Sequence, residues 1–417
     1  MKRAPSLGAI FLTVFLDLLG FGLVLPFLGE GARDTFGSTE FVGSLLASVY
    51  SLMQFLFVPV WGRLSDRIGR RPVLLWSVFA SILGWLGLFG SLTFGHSVVW
   101  LFLTRAFSGI ATANLGTASA YIADVTKPEE RAKGMGLIGA AFGLGFIIGP
   151  GIGGALAKVL IHGRAGGVPC LVAAALAFVN FLWVLRGVPV SLPPEKRAPS
   201  KRRLAPLDLA ATKRTLQKPG IAAMVLINFV AILAFTCLDQ TFRFFNKDIF
   251  GFDQLQTGLV LMLIGVSSAL VQGLIVRKLS GKVADVTLVR AGLFIQAVGF
   301  LLLALTPSIG AWSLYVVGAI LALGNGLSQP STSAYISRRS SSAEQGETLG
   351  TSQSFASLAR MFGPALGGFL YGSIGPRSPY VASALGMIVG LLLATRLSKQ
   401  PPVPEAVPSG PDATPAT

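Results

Sequence analysis

The chain is a succession of long apolar runs separated by short polar segments. A helix of about 20 apolar residues can cross the hydrocarbon core of a bilayer with its backbone hydrogen bonds satisfied internally. Of the 417 residues, 52% are hydrophobic and only 12% are charged, which leaves too little polar surface for a soluble protein of this size. We therefore predict an all-α membrane protein with twelve transmembrane helices, over residues 7–28, 41–61, 73–94, 98–122, 134–159, 168–188, 219–243, 254–276, 284–305, 311–336, 347–371 and 378–396.

The basic residues fall mainly in alternate loops of this arrangement. One side of the membrane receives 24 of the 34 Lys and Arg residues, and the other side receives only 6. Short loops rich in Lys and Arg stay in the cytoplasm, so we place both termini there. The net charge of +16 is thus a topology signal and does not indicate a nucleic-acid surface. We expect a multi-pass protein of the plasma membrane, which in a bacterium is the inner membrane.

The densest charge cluster of the first half lies between the second and third runs, over Gly62-Arg63-Leu64-Ser65-Asp66-Arg67-Ile68-Gly69-Arg70-Arg71-Pro72. Unpaired charges are costly in hydrocarbon, so this segment predicts a tight cytoplasmic loop. It resembles the G-x-L-x-D-R-x-G-R-R signature of the major facilitator superfamily, found between the second and third helices. A generic basic loop is the alternative. The resemblance implies a cytoplasmic gate built from Gly62, Asp66, Arg67, Gly69, Arg70 and Arg71.

Two short motifs recur in the second half of the chain. The Ser-Ala-Tyr-Ile motif that begins at Ser119 recurs at Ser333, and the Gly-Pro motif that begins at Gly149 recurs at Gly363. The separation is the same in both cases, and we call it the repeat offset. Two matches in register favour a parallel repeat of two six-helix bundles about an axis normal to the membrane.

This repeat divides the chain into four predicted segments. They are an N-terminal bundle over 1–188, a basic cytoplasmic linker over 189–218, a C-terminal bundle over 219–399 and a disordered tail over 400–417. A short amphipathic helix is expected within the linker, at residues 204–216.

Ionisable residues inside the apolar runs are the first functional candidates, because lipid offers them no partner. Asp17 stands midway along the first run, and burial of a carboxyl group favours its protonated form. Arg105, in the fourth run, stays charged and must face water or a partner. We predict that Asp17 exchanges a proton and that Arg105 holds its deprotonated form, with a structural ion pair as the alternative for each. Asn114, two to three turns after Arg105, is expected to face the same cavity.

Further polar residues are candidates for the substrate cavity. Arg360 lies roughly 20 Å into the eleventh run, at the rise per residue of a helix, which favours a cavity-facing counter-ion or substrate contact over a structural pair. Asp239 and Arg243 lie one turn apart near the outer end of the seventh run and are expected to form a structural pair. The amide side chains either bind substrate or pack between helices: Gln54, Asn228, Gln272, Gln296 and Gln353.

Glycines are concentrated in the fifth run, where small residues allow helices to approach closely. The run matches the G-x-x-x-G-P-x-x-G-G motif of drug:proton antiporters at Gly145, Gly149, Pro150, Gly153 and Gly154. A generic helix-packing stripe is the alternative. Together with Asp17 and the basic loop, this glycine run makes the first half of the chain resemble the tetracycline-exporter branch of that class. The chain departs from that branch at the ninth helix, where the exporters carry a carboxylate and this chain has Gln296, which argues against tetracycline itself as the substrate.

These features predict a proton-coupled exporter of amphiphilic or hydrophobic small molecules that works by alternating access. The alternative within the same fold is uptake or facilitated diffusion of an organic anion, bound by Arg105 and Arg360. A receptor or membrane enzyme is disfavoured, because the sequence has no nucleophile and base pair, metal cluster or phosphate-binding loop. We expect no cofactor and no metal. The expected partners are the substrate, protons and the bilayer, with the protein acting as a monomer.

Overall fold

The computed structural model describes residues 7–111, 114–126, 131–164, 167–191, 209–218, 220–279, 282–339 and 345–397. These residues form an all-α membrane protein, and no strand longer than the single bridge between Ile161 and Arg164 occurs among them. The predicted tail and most of the predicted linker lie outside the described residues. Within the linker, the predicted amphipathic helix is described only over Leu209–Leu216.

Fifteen α-helices and one π-helix make up the described structure. The first half contains α1 Leu7–Phe36, α2 Glu40–Ile68, α3 Arg70–Phe94, α4 Val99–Ala111, α5 Asn114–Val125, α6 Arg131–Ala157 and α7 Gly167–Gly187. The second half contains α8 Leu209–Leu216, α9 Ile221–Phe250, α10 Gln254–Leu270, α11 Arg277–Leu279, α12 Asp285–Ile309, α13 Ser313–Arg338, α14 Gln345–Ser373 and α15 Ser378–Thr395. The π-helix, Val271–Val276, joins α10 to α11.

Eight helical segments of the described chain are long and apolar enough to cross a membrane. They are α1, the first eighteen residues of α2, α3, α7, α9, α10 with the π-helix, α12 and α15. The predicted fourth span corresponds to α4 and α5, on either side of residues 112 and 113. The total of twelve spans stays a prediction.

The helix bounds repeat with the offset found in the sequence. Helix α1 begins at Leu7 and ends at Phe36, and α9 begins at Ile221 and ends at Phe250, so both ends are separated by the repeat offset. Gly37 and Gly251, the residues after these two helices, have φ angles of 64° and 67°. Only glycine adopts such angles without strain, so the same turn chemistry is used twice.

The most extensive contacts between the halves are those of α2 with α14 and of α6 with α10. Within the halves, α1 packs on α6 and α12 packs on α13. The buried apolar clusters do not mix the halves, because each draws its members either from residues 7–188 or from residues 216–397. This is the arrangement that two separately packed bundles would produce, and the division at residues 189–218 remains a prediction.

Candidate functional site

A small cavity lies between α1, α2, α3 and α4, in the first half of the chain. Asp17 and Arg105 both line it, so the two residues predicted to act together share one site. The sequence reasoning missed the other lining residues, which are Phe21, Tyr50, Ser81, Trp85 and Ser108. Trp85 and Tyr50 lie in apolar runs where an aromatic residue carries no distinct signal. The cavity therefore combines a carboxyl group, a guanidinium group, hydroxyls and aromatic rings.

Arg105 is fixed in the wall of this cavity and is only 1% exposed. Its guanidinium lies over the ring of Tyr50, 4.2 Å from the centroid, and its Nε donates to the Leu46 carbonyl at 3.4 Å. Its Nη2 has no hydrogen-bond partner among the described residues. A buried cation held on an aromatic face with a spare donor can bind an acidic group that enters the cavity.

Helix α2 also connects this site to the second half of the chain. Tyr50 lies on α2 beneath the guanidinium of Arg105. Arg360 is half-buried on α14, and its Nη2 donates to Ser357 Oγ at 3.2 Å. Helix α14 packs on α2, which carries Tyr50. Arg105 in the first half and Arg360 in the second half thus lie on helices that both contact α2.

The basic segment differs from its prediction in local structure. The sequence predicts a loop over residues 62–72, but α2 continues to Ile68, and α3 begins at Arg70. Gly69 alone makes the turn, with φ at 103°, so the predicted need for glycine is met there and not at Gly62, which is helical. Most of the predicted loop is therefore helical.

Arg70 provides most of the described contacts of this segment. Its Nε bonds to Asp124 Oδ2 of α5 at 3.1 Å, and its Nη1 donates to Ser65 Oγ at 2.7 Å. Arg71 donates to the Leu185 carbonyl at 2.6 Å, and Arg67 is half-buried in the last turn of α2. The side chains of Asp66 and Asn114 lie outside the described residues. Asp124 is a partner that sequence reasoning did not single out.

The glycine run of α6 has two packing faces. On one face, a Cβ at Gly145 would lie 3.0 Å from Leu18, one at Gly149 would lie 2.7 Å from Gly22, and one at Gly153 would meet the Leu23 carbonyl. On the other face, the Gly154 position meets the Gln254 carbonyl of α10, and the Pro150 carbonyl meets the Gly258 position. The run therefore fits α6 between α1 and α10, where only hydrogens can occupy the space.

The predicted amide residues do not gather at one site. Asn228 bonds to Ser352 Oγ at 3.3 Å between α9 and α14, and Gln272 bonds to Ser268 Oγ one turn away. Gln54 is half-buried on α2, and Gln353 is exposed on α14. These placements leave Gln54 and Gln353 available to a ligand and occupy Asn228 in helix packing.

Gln296 lies between helices, which is the packing alternative given for the amide residues. It is fully buried, and its Nε2 donates to Ser328 Oγ at 2.7 Å, between α12 and α13. The side chain fills the space beside Gly324, where an added Cβ would lie 2.7 Å from Gln296 Cγ. In this structure it packs between α12 and α13 with its Nε2 bonded, while its Oε1 is buried and has no hydrogen-bond partner among the described residues.

The expected pair of Asp239 with Arg243 is wrong. Arg243 is 3% exposed and forms a bidentate pair with Glu30 of α1. Its Nε donates to Oε2, and its Nη2 donates to Oε1 at 2.7 Å. Asp239 instead accepts from Gln240 Nε2 at 2.8 Å. A pair four residues apart on one helix contributes only tenths of a kcal/mol, roughly 0.2–0.5, whereas a buried bidentate pair is far stronger. Arg243 therefore bonds to Glu30 of α1 and not to Asp239 of its own helix.

Lys158, the residue after α6, forms an ion pair with Asp253, the residue before α10. Lys158 Nζ is 2.7 Å from Asp253 Oδ2, and the backbone amide of Gln256 donates to Asp253 Oδ1. Burial alone would raise the pKa of Asp253, but the ammonium and the amide outweigh it and hold that pKa below its usual value. The carboxylate is thus charged at neutral pH and caps α10.

Comparison with known proteins gives consistent matches. A family model described as Major Facilitator Superfamily matches residues 10–314 and 279–416. The class D tetracycline resistance protein of Salmonella ordonez is 32% identical over 407 residues, covering 96% of this chain and 98% of that protein. Major facilitator superfamily domain-containing protein 10 of Bos taurus is 29% identical and covers 94% of each chain. The crystal structure of the human organic anion transporter MFSD10 superposes with a TM-score of 0.70 at 25% identity, covering 93% of this chain and 98% of that one.

Proposed function

The chain belongs to the major facilitator superfamily, and on that premise we propose that it is a proton-coupled exporter of amphiphilic small molecules. The observation that carries the proposal is the cavity shared by Asp17 and the buried Arg105. The match to tetracycline resistance proteins over nearly the whole chain supports export as the direction. The protein would act as a monomer in the inner membrane of a bacterium, with both termini in the cytoplasm.

The proposed chemistry is an exchange at the Asp17 carboxyl group. A deprotonated Asp17 is stabilised by the guanidinium of Arg105, which Tyr50 holds in place by a cation–π contact. Protonation of Asp17 removes one charge from the cavity and leaves Arg105 available to other acceptors. Rocking of two six-helix bundles, at residues 1–188 and 219–399, would then expose the cavity to either side in turn. Contacts among Asp66, Arg67, Arg70 and Arg71 would form the cytoplasmic gate.

The substrate is proposed to be amphiphilic because rings and charged groups line the same small space. Phe21, Tyr50 and Trp85 provide apolar and aromatic surface, while Ser81 and Ser108 provide hydroxyls. A ligand with one polar group and one hydrophobic body satisfies both kinds of wall.

The test uses purified protein in liposomes that contain a pH-sensitive dye. Tetracycline, ethidium and carboxyfluorescein are added singly, and proton counterflow is recorded. We expect at least one of them to drive proton movement in the unaltered protein. Asp17→Asn should lower that flux roughly 100-fold, at the lower end of what a positioned proton-transfer group contributes. The measurement is initial rate against substrate concentration at two imposed pH gradients.

Asp285→Asn is the matched control, because Asp285 has the same chemistry but lies at the start of α12 beside Arg338. It should leave the proton flux within about twofold of the unaltered protein, because Asp285 does not line the cavity that Asp17 and Arg105 share. Unchanged proton flux in Asp17→Asn, with equal protein in the bilayer, would contradict the proton role.

Transport of an organic anion is the second candidate. It is favoured by Arg105 and Arg360, two arginines on helices that both pack on α2, and by the similarity to a protein described as an organic anion transporter. Counterflow of carboxyfluorescein down its own gradient, with no dependence on pH, would select this candidate over proton-coupled export.

A further inference from the structure

The C-terminal ends of α1 and α9 carry the same pair of charges. Arg33-Asp34 lies in the last turn of α1, and Lys247-Asp248 lies at the same place in α9. The two dipeptides are separated by the repeat offset, as Ser119 is from Ser333. Each half of the chain therefore presents one cation followed by one anion at the same end of the molecule.

The bonds between these dipeptides are reciprocal. Arg33 Nη1 and Nη2 donate to Asp248 Oδ2 and Oδ1, both at 3.0 Å. Lys247 Nζ donates to Asp34 Oδ2 at 2.7 Å and to Oδ1 at 3.0 Å. The cation of each half thus binds the anion of the other half. This is the pattern of a two-fold symmetric interface, here formed inside one chain.

Neighbouring side chains extend the contact to the two helices that join the halves. Arg33 Nη1 also reaches Glu40 Oε1 of α2 at 3.2 Å, and the hydroxyl of Tyr371 on α14 donates to Asp248 Oδ2 at 2.8 Å. The guanidinium of Arg33 lies over the ring of Phe244, 5.0 Å from its centroid. These contacts orient the Arg33 and Asp248 side chains for the bond between them.

One deeper pair breaks the symmetry. Arg243 and Glu30 bond to each other while 3% and 2% exposed, but their equivalents in the repeat are Gly29 and Phe244. Lys247 Nζ is also 2.9 Å from Glu30 Oε1, which connects the deeper pair to the exposed ones. A buried pair of this kind costs much to separate unless water reaches both ions, so opening of this end must be accompanied by hydration.

We propose that these reciprocal pairs, Arg33 with Asp248 and Lys247 with Asp34, form a latch between α1 and α9 that sets how often this end of the protein opens. In the structure the latch is closed, with the buried Arg243 and Glu30 pair beneath it. Both reciprocal pairs are partly exposed, so water can replace their bonds when the latch opens within a transport cycle. The inference needs alternation between two states, and it does not depend on a proton role for Asp17.

The test measures the distance between the two helix ends in the full chain. Spin labels are placed at Thr35→Cys and Ile249→Cys, which are equivalent positions in the repeat and lie outside the latch, with Cys170→Ala and Cys237→Ala to remove the native thiols. Pulsed electron spin resonance in nanodiscs then gives the distance distribution. In the labelled protein with an intact latch, we expect one short distance. When Arg33→Gln or Asp248→Asn is added to it, we expect a second, longer distance as well. The ratio of open to closed forms should rise roughly two- to fivefold in each.

The double variant Arg33→Gln with Asp248→Asn decides whether the two residues act through one bond. Its open fraction should match that of either single variant, because partners in one bond are not additive. Arg377→Gln, at an exposed arginine before α15, should leave the distances unchanged. The proposal is overturned if both single variants keep the short distance, or if the double variant shows the product of the two single effects.

Discussion

At the residue scale, the sequence identifies charges inside apolar runs but not their partners. Asp17 and Arg105 are predictable because an ionisable group in hydrocarbon needs a compensating environment, and the structure places both on one cavity. Tyr50 and Asp124 are not predictable as partners, since an aromatic ring in an apolar run and an acid at a helix end are both ordinary. Arg243 illustrates the limit, because spacing suggests Asp239 while tertiary packing supplies a glutamate of α1.

Arg360 yields a prediction at this scale. Arg360→Gln removes the positive charge of a half-buried arginine on α14, so an organic anion bound there should lose one charge-assisted hydrogen bond. We expect the KM for carboxyfluorescein to rise roughly tenfold, as for the loss of about 1.5 kcal/mol. The KM for ethidium, a cation, should stay the same or fall. Both constants are measured from initial rates in liposomes.

Arg377→Gln is the control for this substitution, because Arg377 is exposed at the start of α15. An equal rise in KM for both the anion and the cation would show that Arg360 supports the fold of the site and does not bind the anion.

At the element scale, the sequence locates helices well and their ends poorly. The apolar run predicts that α1 stops at residue 28, but the helix continues to Phe36, because Glu30, Arg33 and Asp34 find opposite charges on α9. The basic segment predicts a loop, but helix α2 runs through most of it to Ile68. At the end of α1, a charged stretch that suggests a loop stays helical because side chains of α9 bond to it.

The close approach of α6 to α1 gives a prediction at this scale. Gly153→Ala should destabilise the protein by about 1–3 kcal/mol, since the added methyl group would collide with the Leu23 carbonyl and force the two helices apart. Thermal unfolding is followed by reaction of the two buried cysteines, Cys170 and Cys237, with a thiol-reactive dye.

Gly143→Ala provides the comparison within the same helix. Nothing lies within 4 Å of a Cβ at Gly143, so the change should be neutral or slightly stabilising, as alanine favours a helix over glycine. Equal unfolding temperatures for the two variants would mean that α6 and α1 are not held at the distance that the glycines imply.

At the scale of the whole molecule, the internal repeat is the most informative sequence feature. Two motifs with one shared offset anticipate helices that begin at matching positions, as Glu40 and Gln254 do for α2 and α10. The same offset applied to single residues pairs Arg33 with Lys247. It cannot show that the charges bond across the halves, because a repeat defines equivalence and not contact.

The separate apolar clusters lead to a prediction about assembly. If residues 1–199 and 200–417 are expressed as two chains, each retains its own buried clusters intact. The contacts of α2 with α14, of α6 with α10 and of α1 with α9 are all non-covalent. We therefore expect the two fragments to co-purify through a tag on either one and to recover transport.

A cut after residue 250 is the comparison for this experiment, because it separates Phe245 from Val260 and Phe300 in one buried cluster. That pair of fragments should assemble poorly. The second fragment would lack α9, so the face of α12 and α15 that packs on α9 would be uncovered. Equal recovery from the two cuts would mean that the halves do not fold as separate bundles, and failure of both would mean that chain continuity itself is required.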